Sequence, residues 1–420
     1  MLDLKSKAID LDQDDPIAYK QNQYVFPVND QGDRLLYLCG NSLGLQPAKA
    51  TEYVNKELDR WGKYGVLGHF KGDPAWADYD QPMIQTLCKM VGANQDEVII
   101  SNTLSINIHL ILVSFYRPVG KRIKILIEHN SFPSDLYALN SHLRFKGFNA
   151  EEILIELKPK PGESYITQAE IESAILEHKD TLALVYLGSV NYLNGQIYHI
   201  QSLSSLAHQC GALIGYDLAH GVGNLPFELH TWNVDFAVWC HYKYCNGGPN
   251  ALAGMFIHQH HHHQVDQRLE GWWGNEKKTR FLMQPDFRPE PGASGWIISG
   301  PPILSLAGMK AGFEDFEEIG MEVLRKKSIA LTDYLCQVLE SLQDDRLNII
   351  TPEDTEMRGC QISIAIDSRF KKVYDHLLNY DVVVDWREPG IIRVAPVPMY
   401  NSFKDVFEFG EKMKLALKLV

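Results

Sequence analysis

Short apolar runs alternate along the first 260 residues with longer stretches whose apolar positions recur at helical spacing. The runs are rich in β-branched residues, which is typical of buried strands. In the helical stretch 200–211, Leu203, Leu206 and Ala207 share one face and Gly211 follows as a plausible C-cap. The repetition of strand, helix and strand predicts an α/β fold with a largely parallel sheet. The predicted strands are EVIIS (97–101), IKILIE (123–128), LALVYL (182–187), ALIGYD (212–217), VDFAVWC (234–240) and AGMFIH (253–258).

The pattern changes near residue 310. Residues 310–342 predict a long helix that breaks at Gly320, and the strand-like runs QISIAI (361–366), VVVDW (382–386) and IIRVAP (391–396) follow it. These elements predict a smaller α+β domain at the carboxyl terminus. We expect three parts, namely an N-terminal segment (1–45) that packs with the small domain, a large domain (46–305) and a small C-terminal domain (306–420).

Composition and charge narrow the class of protein. The 420 residues are 45% hydrophobic, enough for two domains, and the net charge of −13 argues against a nucleic-acid partner. No apolar run reaches the length of a membrane span, and the first residues do not resemble a secretory signal. The seven cysteines are scattered and form no CxxC pair, which predicts a reducing compartment and hence a cytoplasmic protein.

The first candidate site combines Asp217, His220 and Lys243. Ligands of parallel α/β sheets bind beyond the carboxyl ends of the strands; Asp217 ends one predicted strand and Lys243 follows the next. An enzyme that uses pyridoxal 5′-phosphate (PLP) needs a lysine amine for the cofactor aldehyde. It also needs an acid that pairs with the pyridine nitrogen. The same spacing also fits an N-cap aspartate and a surface lysine.

Two further segments follow predicted strands. Phe132 could stack on a flat cofactor ring, and Ser134 and Asp135 could contact polar atoms of a ligand; a turn that leads into a helix capped by Ser134 is the alternative. The segment 101–107 offers hydroxyl groups and backbone N–H groups to a phosphate, or else forms an ordinary N-cap.

Three features carry weaker signals. Trp272 lies between glycines, in a Gly- and Trp-rich region, and could contact a ligand or a subunit, or be buried between domains. Arg393 lies inside an apolar strand and needs a partner, either a substrate carboxylate or a structural carboxylate. The run His260–His263, with His258 before it, predicts a solvated loop, and we expect no metal site there because suitable carboxylate and cysteine ligands are absent nearby in the sequence.

Taken together, these segments resemble the kynureninase family of fold-type-I PLP enzymes, which is related to the class-V aminotransferases. The resemblance runs from about Tyr37 to Phe403, and its strength lies in the order and spacing of modest motifs. These motifs are LCGNSLGLQP (38–47), Gly68-His69 with Pro74 and Trp76, FPSD (132–135), DLAH (217–220), Tyr242-Lys243, Gly271-Trp272 and RVAPVPMYNSF (393–403).

The resemblance implies roles for individual residues. Lys243 would hold the cofactor and move protons, Asp217 would pair with the pyridine nitrogen with His220 close by, and Phe132 would stack on the ring. Tyr242 would be a third catalytic residue, as a proton donor or acceptor. The implied cofactor contacts are Leu104, Ser105, Phe132, Pro133, Ser134, Asp135, Asp217, His220, Tyr242, Lys243 and Trp272, the last from the second subunit of a homodimer. The implied substrate contacts are Ser42, His69 and Arg393.

The reaction implied by the resemblance is hydrolysis of kynurenine or 3-hydroxykynurenine between Cβ and Cγ, which releases alanine and an anthranilate, in tryptophan catabolism and NAD biosynthesis. Gly300 and Gly188 depart from the family, which usually has polar side chains at these positions, so the substrate end of the site is where this chain could differ. The alternatives are another class-V PLP enzyme, such as a cysteine desulfurase or a transaminase, and a catalytically silent PLP-binding scaffold.

Overall fold

The computed structural model describes residues 2–263 and 267–420. The helices are α1 (Leu2–Gln13), α2 (Ala50–Tyr64), α3 (Gln81–Val91), α4 (Leu104–Phe115), α5 (Pro133–Phe145), α6 (Ala150–Ile153), α7 (Gln168–Glu177), α8 (Ile200–Gln209), α9 (Ile303–Ile319), α10 (Met321–Glu340), α11 (Lys371–Asn379) and α12 (Phe403–Lys418). The strands are β1 (Tyr24–Val25), β2 (Leu36–Tyr37), β3 (Gln46–Pro47), β4 (Val98–Ile100), β5 (Lys124–Glu128), β6 (Leu154–Leu157), β7 (Leu182–Gly188), β8 (Leu213–Asp217), β9 (Phe236–Cys240), β10 (Ala253–Ile257), β11 (Asn348–Ile349), β12 (Ile362–Ala365), β13 (Val382–Val383), β14 (Asp385–Arg387) and β15 (Ile391–Val394).

A seven-stranded sheet forms the centre of the larger part of the molecule. Its strand order is β4-β10-β9-β8-β7-β5-β6, and β10 runs antiparallel to both of its neighbours while the other pairs are parallel. Helices cover both faces, so β4, β9 and β10 are buried along their whole length and read as continuous apolar runs. The predicted mainly parallel sheet is therefore confirmed, with one reversed strand.

Glycines end two of the helices as predicted. Gly211 follows α8 with φ of 72°, and Gly320 separates α9 from α10 with φ of 78°. Both values lie in the left-handed region, which glycine enters without a Cβ clash. Within the described parts of the chain, no helix is both long and apolar enough to cross a membrane.

A second, four-stranded sheet lies in the carboxyl-terminal part, in the order β11-β12-β15-β14. Its core is built from α10, α11 and α12, and from Ala8, Leu36 and Leu38 of the N-terminal segment. Strand β2 also pairs in parallel with β13. Other N-terminal residues, Ile17 and Leu45, join the core of the large sheet, as does most of α9. The division at residues 45 and 305 stays a prediction.

The expected solvated loop is wrong for His258 and for one member of the run, His261. His258 and His261 are buried, and His261 Nε2 lies 2.7 Å from the Asp235 carboxylate. One atom each of His258, His230 and Glu97 lie within 4.8 Å of one another, and each of these side chains already has a hydrogen-bond partner in the protein. Local polarity predicts exposure, but the run follows an interior strand that carries it into the fold.

Candidate active site

A cavity of about 330 Å³ opens at the carboxyl ends of the parallel strands. Strands β5, β7 and β8 end at it, and the turn after β9 supplies Tyr242 and Lys243. Nine of the predicted site residues line this one cavity: Leu104, Ser105, Phe132, Ser134, Asp135, Asp217, His220, Tyr242 and Lys243. Pro133 lies between two of them, as the first residue of α5.

Lys243 is buried, which excludes the alternative of a surface lysine. Its Nζ lies 2.9 Å from His220 Nε2. Burial lowers the pKa of His220 well below its usual value, and the positive charge of Lys243 is the second largest cause. A neutral His220 therefore accepts a hydrogen bond from the lysine amine at Nε2 and carries its own proton on Nδ1. That buried Nδ1 has no protein partner among the described residues, so a residue that lines the cavity keeps one unsatisfied donor.

Two carboxyl groups lie together at the floor of the cavity. Burial raises the pKa of Asp217, and Lys243, the Ala219 N–H group and Asp135 partly offset this effect. Burial and the neighbouring Asp217 raise the pKa of Asp135 well above its usual value, although the Tyr186 hydroxyl donates to it over 2.9 Å. The pair thus holds one proton, on Asp135, because two ionised carboxylates repel each other in a buried site. Asp217 keeps the negative charge.

The opposite end of the cavity is built from two helix N-termini. Helix α4 begins at Leu104 and α5 at Pro133, and the Ser105 and Ser134 hydroxyls lie 2.7 Å apart. The first N–H groups of a helix lack intrahelical partners, and the helix dipole is positive at this end. Pro133 suits the first helical position because it has no N–H group. This corner can therefore bind a phosphate.

Aromatic side chains form the side walls. The Phe132 ring is 39% exposed, and Lys243 Nζ lies 5.9 Å from its centroid and from that of Tyr242. Tyr192 meets Phe132 edge-on, with ring centroids 5.2 Å apart. Burial, together with the nearby Cys240, raises the pKa of Tyr242, so its phenol stays protonated at neutral pH and can donate a proton.

Arg393 lies next to the cavity without lining it. Its Nη1 donates to the Tyr192 carbonyl over 2.7 Å, and its Nη2 donates to the Asp385 carboxylate over 2.6 Å and to Ser42 Oγ over 3.2 Å. Two of the predicted substrate contacts, Ser42 and Arg393, are therefore in direct contact. The sequence left open whether the partner of Arg393 is a substrate carboxylate or a structural carboxylate. In this structure Asp385 is a structural carboxylate that pairs with it.

Trp272 and His69 stand apart from the cavity. The Trp272 side chain is half-exposed and packs edge-on against Phe281, while its ring N–H donates to the Arg280 carbonyl over 3.2 Å. His69 ends a short 3-10 helix and meets the ring of Trp76 edge-on at 5.5 Å. Neither residue lines the cavity of the single chain.

The two glycine departures have different surroundings. Gly188 lines the cavity, and a Cβ there would lie 2.9 Å from the Glu128 carboxylate, so Glu128 occupies the space a side chain would need. Ser189 does not take its place, since it lies outside the cavity lining. A Cβ at Gly300 would lie 3.2 Å from the ring of Trp273.

The lining suits PLP in three respects. A buried carboxylate and a buried lysine share the cavity with an aromatic ring, two helix N-termini offer a phosphate site, and His220 Nδ1 lacks a protein partner. Glu128 and Tyr192 also line the cavity, and the sequence interpretation missed both of them. Both residues lie at or just beyond the ends of β5 and β7, and this position in the sequence could have indicated that they belong to the site.

Comparisons with known proteins identify the family. The family model described as the kynureninase C-terminal domain matches residues 324–413. A kynureninase of Myxococcus xanthus is 45% identical over 413 residues, which cover 98% of this chain and 97% of that protein. A kynureninase of Flavobacterium johnsoniae is 43% identical over 409 residues, with 96% of each chain covered. This chain belongs to the kynureninase family. The predicted family is therefore confirmed.

Solved structures confirm the predicted fold. A C-DES mutant with glycine covalently linked to its PLP cofactor superposes with a TM-score of 0.78 at 14% identity, covering 90% of this chain and 96% of that one. A cysteine desulfurase of Thermococcus onnurineus superposes with a TM-score of 0.75 at 16% identity, covering 98% of each chain. The kynureninase family member described here thus has the fold of class-V PLP enzymes.

Proposed function

We propose that this protein is a kynureninase, a PLP-dependent hydrolase that cleaves kynurenine or 3-hydroxykynurenine between Cβ and Cγ and releases alanine and an anthranilate. The single observation that carries the proposal is the identity of 43–45% to kynureninases over almost the whole chain. The cavity that joins Lys243, Asp217 and His220 supports PLP as the cofactor.

The residues around the cavity have separate tasks. When bound, PLP supplies an electron sink for negative charge on substrate carbons. Lys243 holds the cofactor and transfers the proton at the substrate Cα. Asp217 would keep a proton on the pyridine nitrogen, because it carries the negative charge of the carboxyl pair. Phe132 would stack on the ring, and the α4 and α5 N-termini would hold the phosphate through Leu104, Ser105 and Ser134.

The residues in the substrate half of the site bind and orient the substrate. Arg393 holds the α-carboxylate, and Tyr242, near the cofactor phosphate, donates or accepts a proton. Ser42 and His69 lie toward the aromatic end of the substrate. Hydrolysis adds water at the Cγ ketone, so Cβ leaves with the bonding electrons and is protonated to give alanine.

We also propose a cytoplasmic homodimer. Trp272 is half-exposed and lies outside the cavity of its own chain, which suits a contact with the cofactor phosphate of a second subunit. An exposed tryptophan next to Phe281, itself 49% exposed, is typical of interface cores. All seven cysteines lie within the described residues and are unpaired, which supports a reducing compartment.

Cys360 is not a suitable nucleophile for the cysteine desulfurase alternative. A desulfurase needs a reactive thiolate on an accessible loop. Cys360 is buried, its N–H group donates to Asn224 over 3.0 Å, and burial raises the pKa of its thiol to about 12. Cys360 is therefore a structural residue, and the family membership does not favour a desulfurase.

A substrate comparison tests the proposed reaction. The purified, cofactor-loaded protein is given kynurenine, 3-hydroxykynurenine or cysteine, and the products are quantified by chromatography. We expect alanine and an anthranilate in equal amounts from at least one of the first two substrates. Release of sulfide from cysteine without any anthranilate would reject the proposal.

Replacement of Arg393 tests the carboxylate site. We expect Arg393→Ala to lower kcat/KM, since a charged contact to the substrate is lost. The expected decrease corresponds to about 2–4 kcal/mol of transition-state stabilisation. Steady-state kinetics measure this loss. Arg369→Ala serves as the control, because Arg369 also pairs with an aspartate but is 80% exposed. Equal kinetics of the Arg393 and Arg369 variants would make Arg393 purely structural.

A further inference from the structure

Asp385 has a mostly buried carboxylate that is held by three side chains. It stands directly opposite Arg393 in the β14–β15 pair and accepts a hydrogen bond from Arg393 Nη2. Arg387 Nη2 donates to its Oδ2 over 3.0 Å, and the Ser42 hydroxyl donates to the same oxygen. The Asp385 side chain is 9% exposed and that of Arg393 is 1% exposed. The carboxylate is therefore fixed in one position.

The group of Arg387, Asp385 and Arg393 carries a net charge of one positive unit. Burial would raise the pKa of Asp385, but the charge of Arg393 and the hydrogen bonds from Arg393 and Ser42 hold it below its usual value. A pair of Arg393 and Asp385 alone would be neutral and would attract a carboxylate only weakly. Arg387 restores the positive charge, and the charges of both arginines help to lower the pKa of His220 in the cavity wall.

The contacts also fix the orientation of the Arg393 guanidinium. Nη1 donates to the carbonyl of Tyr192, whose side chain lines the cavity, and Nη2 donates to Asp385 and Ser42. Arg393 Nε is buried and has no protein partner in the described parts of the chain. An arginine held on two sides with a spare donor is preorganised to bind an anion, since little conformational entropy remains to be lost.

We propose that Asp385 is the positioning residue of a carboxylate subsite. It orients Arg393 toward the α-carboxylate of the amino-acid substrate, and Arg387 offsets its negative charge. This inference rests on the proposed function and assigns Asp385 and Arg387 to substrate recognition.

Kinetics of charge variants test the inference. In the cofactor-loaded enzyme, Asp385→Asn should raise KM for kynurenine about tenfold, the size of one charged hydrogen bond, with kcat unchanged within about threefold. Asp385→Glu should recover part of this loss. The double variant Asp385→Asn with Arg387→Gln restores the net charge of the group but not the position of the Arg393 guanidinium. Its KM should therefore stay as high as that of Asp385→Asn. A lower KM in Asp385→Asn would show an effect of charge alone and overturn the inference.

A binding measurement separates recognition from a merely structural ion pair. L-homophenylalanine and 3-phenylpropylamine differ only in the α-carboxylate, and neither has a ketone to cleave. By titration calorimetry, Asp385→Asn should weaken binding of the amino acid and leave binding of the amine unchanged. Equal effects on both ligands, or no effect on either, would overturn the inference.

Asp367→Asn is the matched control, since Asp367 forms the same Asp-x-Arg ion pair with Arg369 at the surface. This control should match the parent protein in both measurements. A parent protein that binds homophenylalanine but leaves kynurenine intact would reject the proposed reaction and leave the role of Asp385 to the binding result.

Discussion

Replacing Lys243 with alanine abolishes turnover and the covalent attachment of the cofactor, while the protein still folds. We expect kcat to fall by about 10⁴-fold or more, because general acid–base catalysis alone contributes about 10²–10⁴-fold and the covalent link is lost as well. Lys243 is buried in contact with His220, so its loss removes a charge from the cavity wall rather than part of the apolar core.

Borohydride reduction followed by peptide mass spectrometry measures the attachment directly. The parent protein should carry the reduced cofactor on the peptide that contains Lys243, and the variant should carry none. Lys310→Ala is the control, since Lys310 lies on α9 next to Glu314 and away from the cavity. The other buried lysines, Lys20 and Lys327, form ion pairs with aspartates. A label on either of them would contradict the assignment.

Replacing Asp217 with asparagine should lower kcat by about 10²–10³-fold, the usual loss for one preorganised electrostatic contact. The amide keeps the size of the side chain but removes the single negative charge of the Asp217–Asp135 pair. The pyridine nitrogen would then lose the partner that keeps it protonated. Steady-state kcat is measured at saturating PLP, so that weaker cofactor binding does not enter the result.

Asp217→Glu distinguishes charge from geometry, since it keeps the charge on a longer side chain and should recover part of the activity. Circular dichroism and thermal unfolding check that both variants fold, because Asp217 also accepts a hydrogen bond from the Ala219 N–H group over 2.7 Å. A kcat for Asp217→Asn within threefold of the parent value would refute the role of its charge.

Local patterns in the sequence predicted the strands and the cofactor half of the site. Strands β5, β7 and β8 are apolar runs that end in or next to polar residues, and Asp217 stands at the last position of β8. Since parallel strands end at one edge of the sheet, their terminal residues meet whatever the details of packing. His69 was predicted from the resemblance alone and Trp272 from the resemblance and its flanking glycines, and both roles stay predictions because neither residue lines the cavity of one chain.

By itself the sequence determined the α/β class, the helix break at Gly320 and the family. Periodicity, backbone preference and motif order depend only on the order of residues along the chain. Only the tertiary structure decided which charges meet. The antiparallel direction of β10, the pairing of Asp385 with Arg393 across a hairpin and the burial of His261 against Asp235 depend on strand direction and register. An apolar run reads the same in either direction, so strand direction and register are set only when the strands pack in the folded chain.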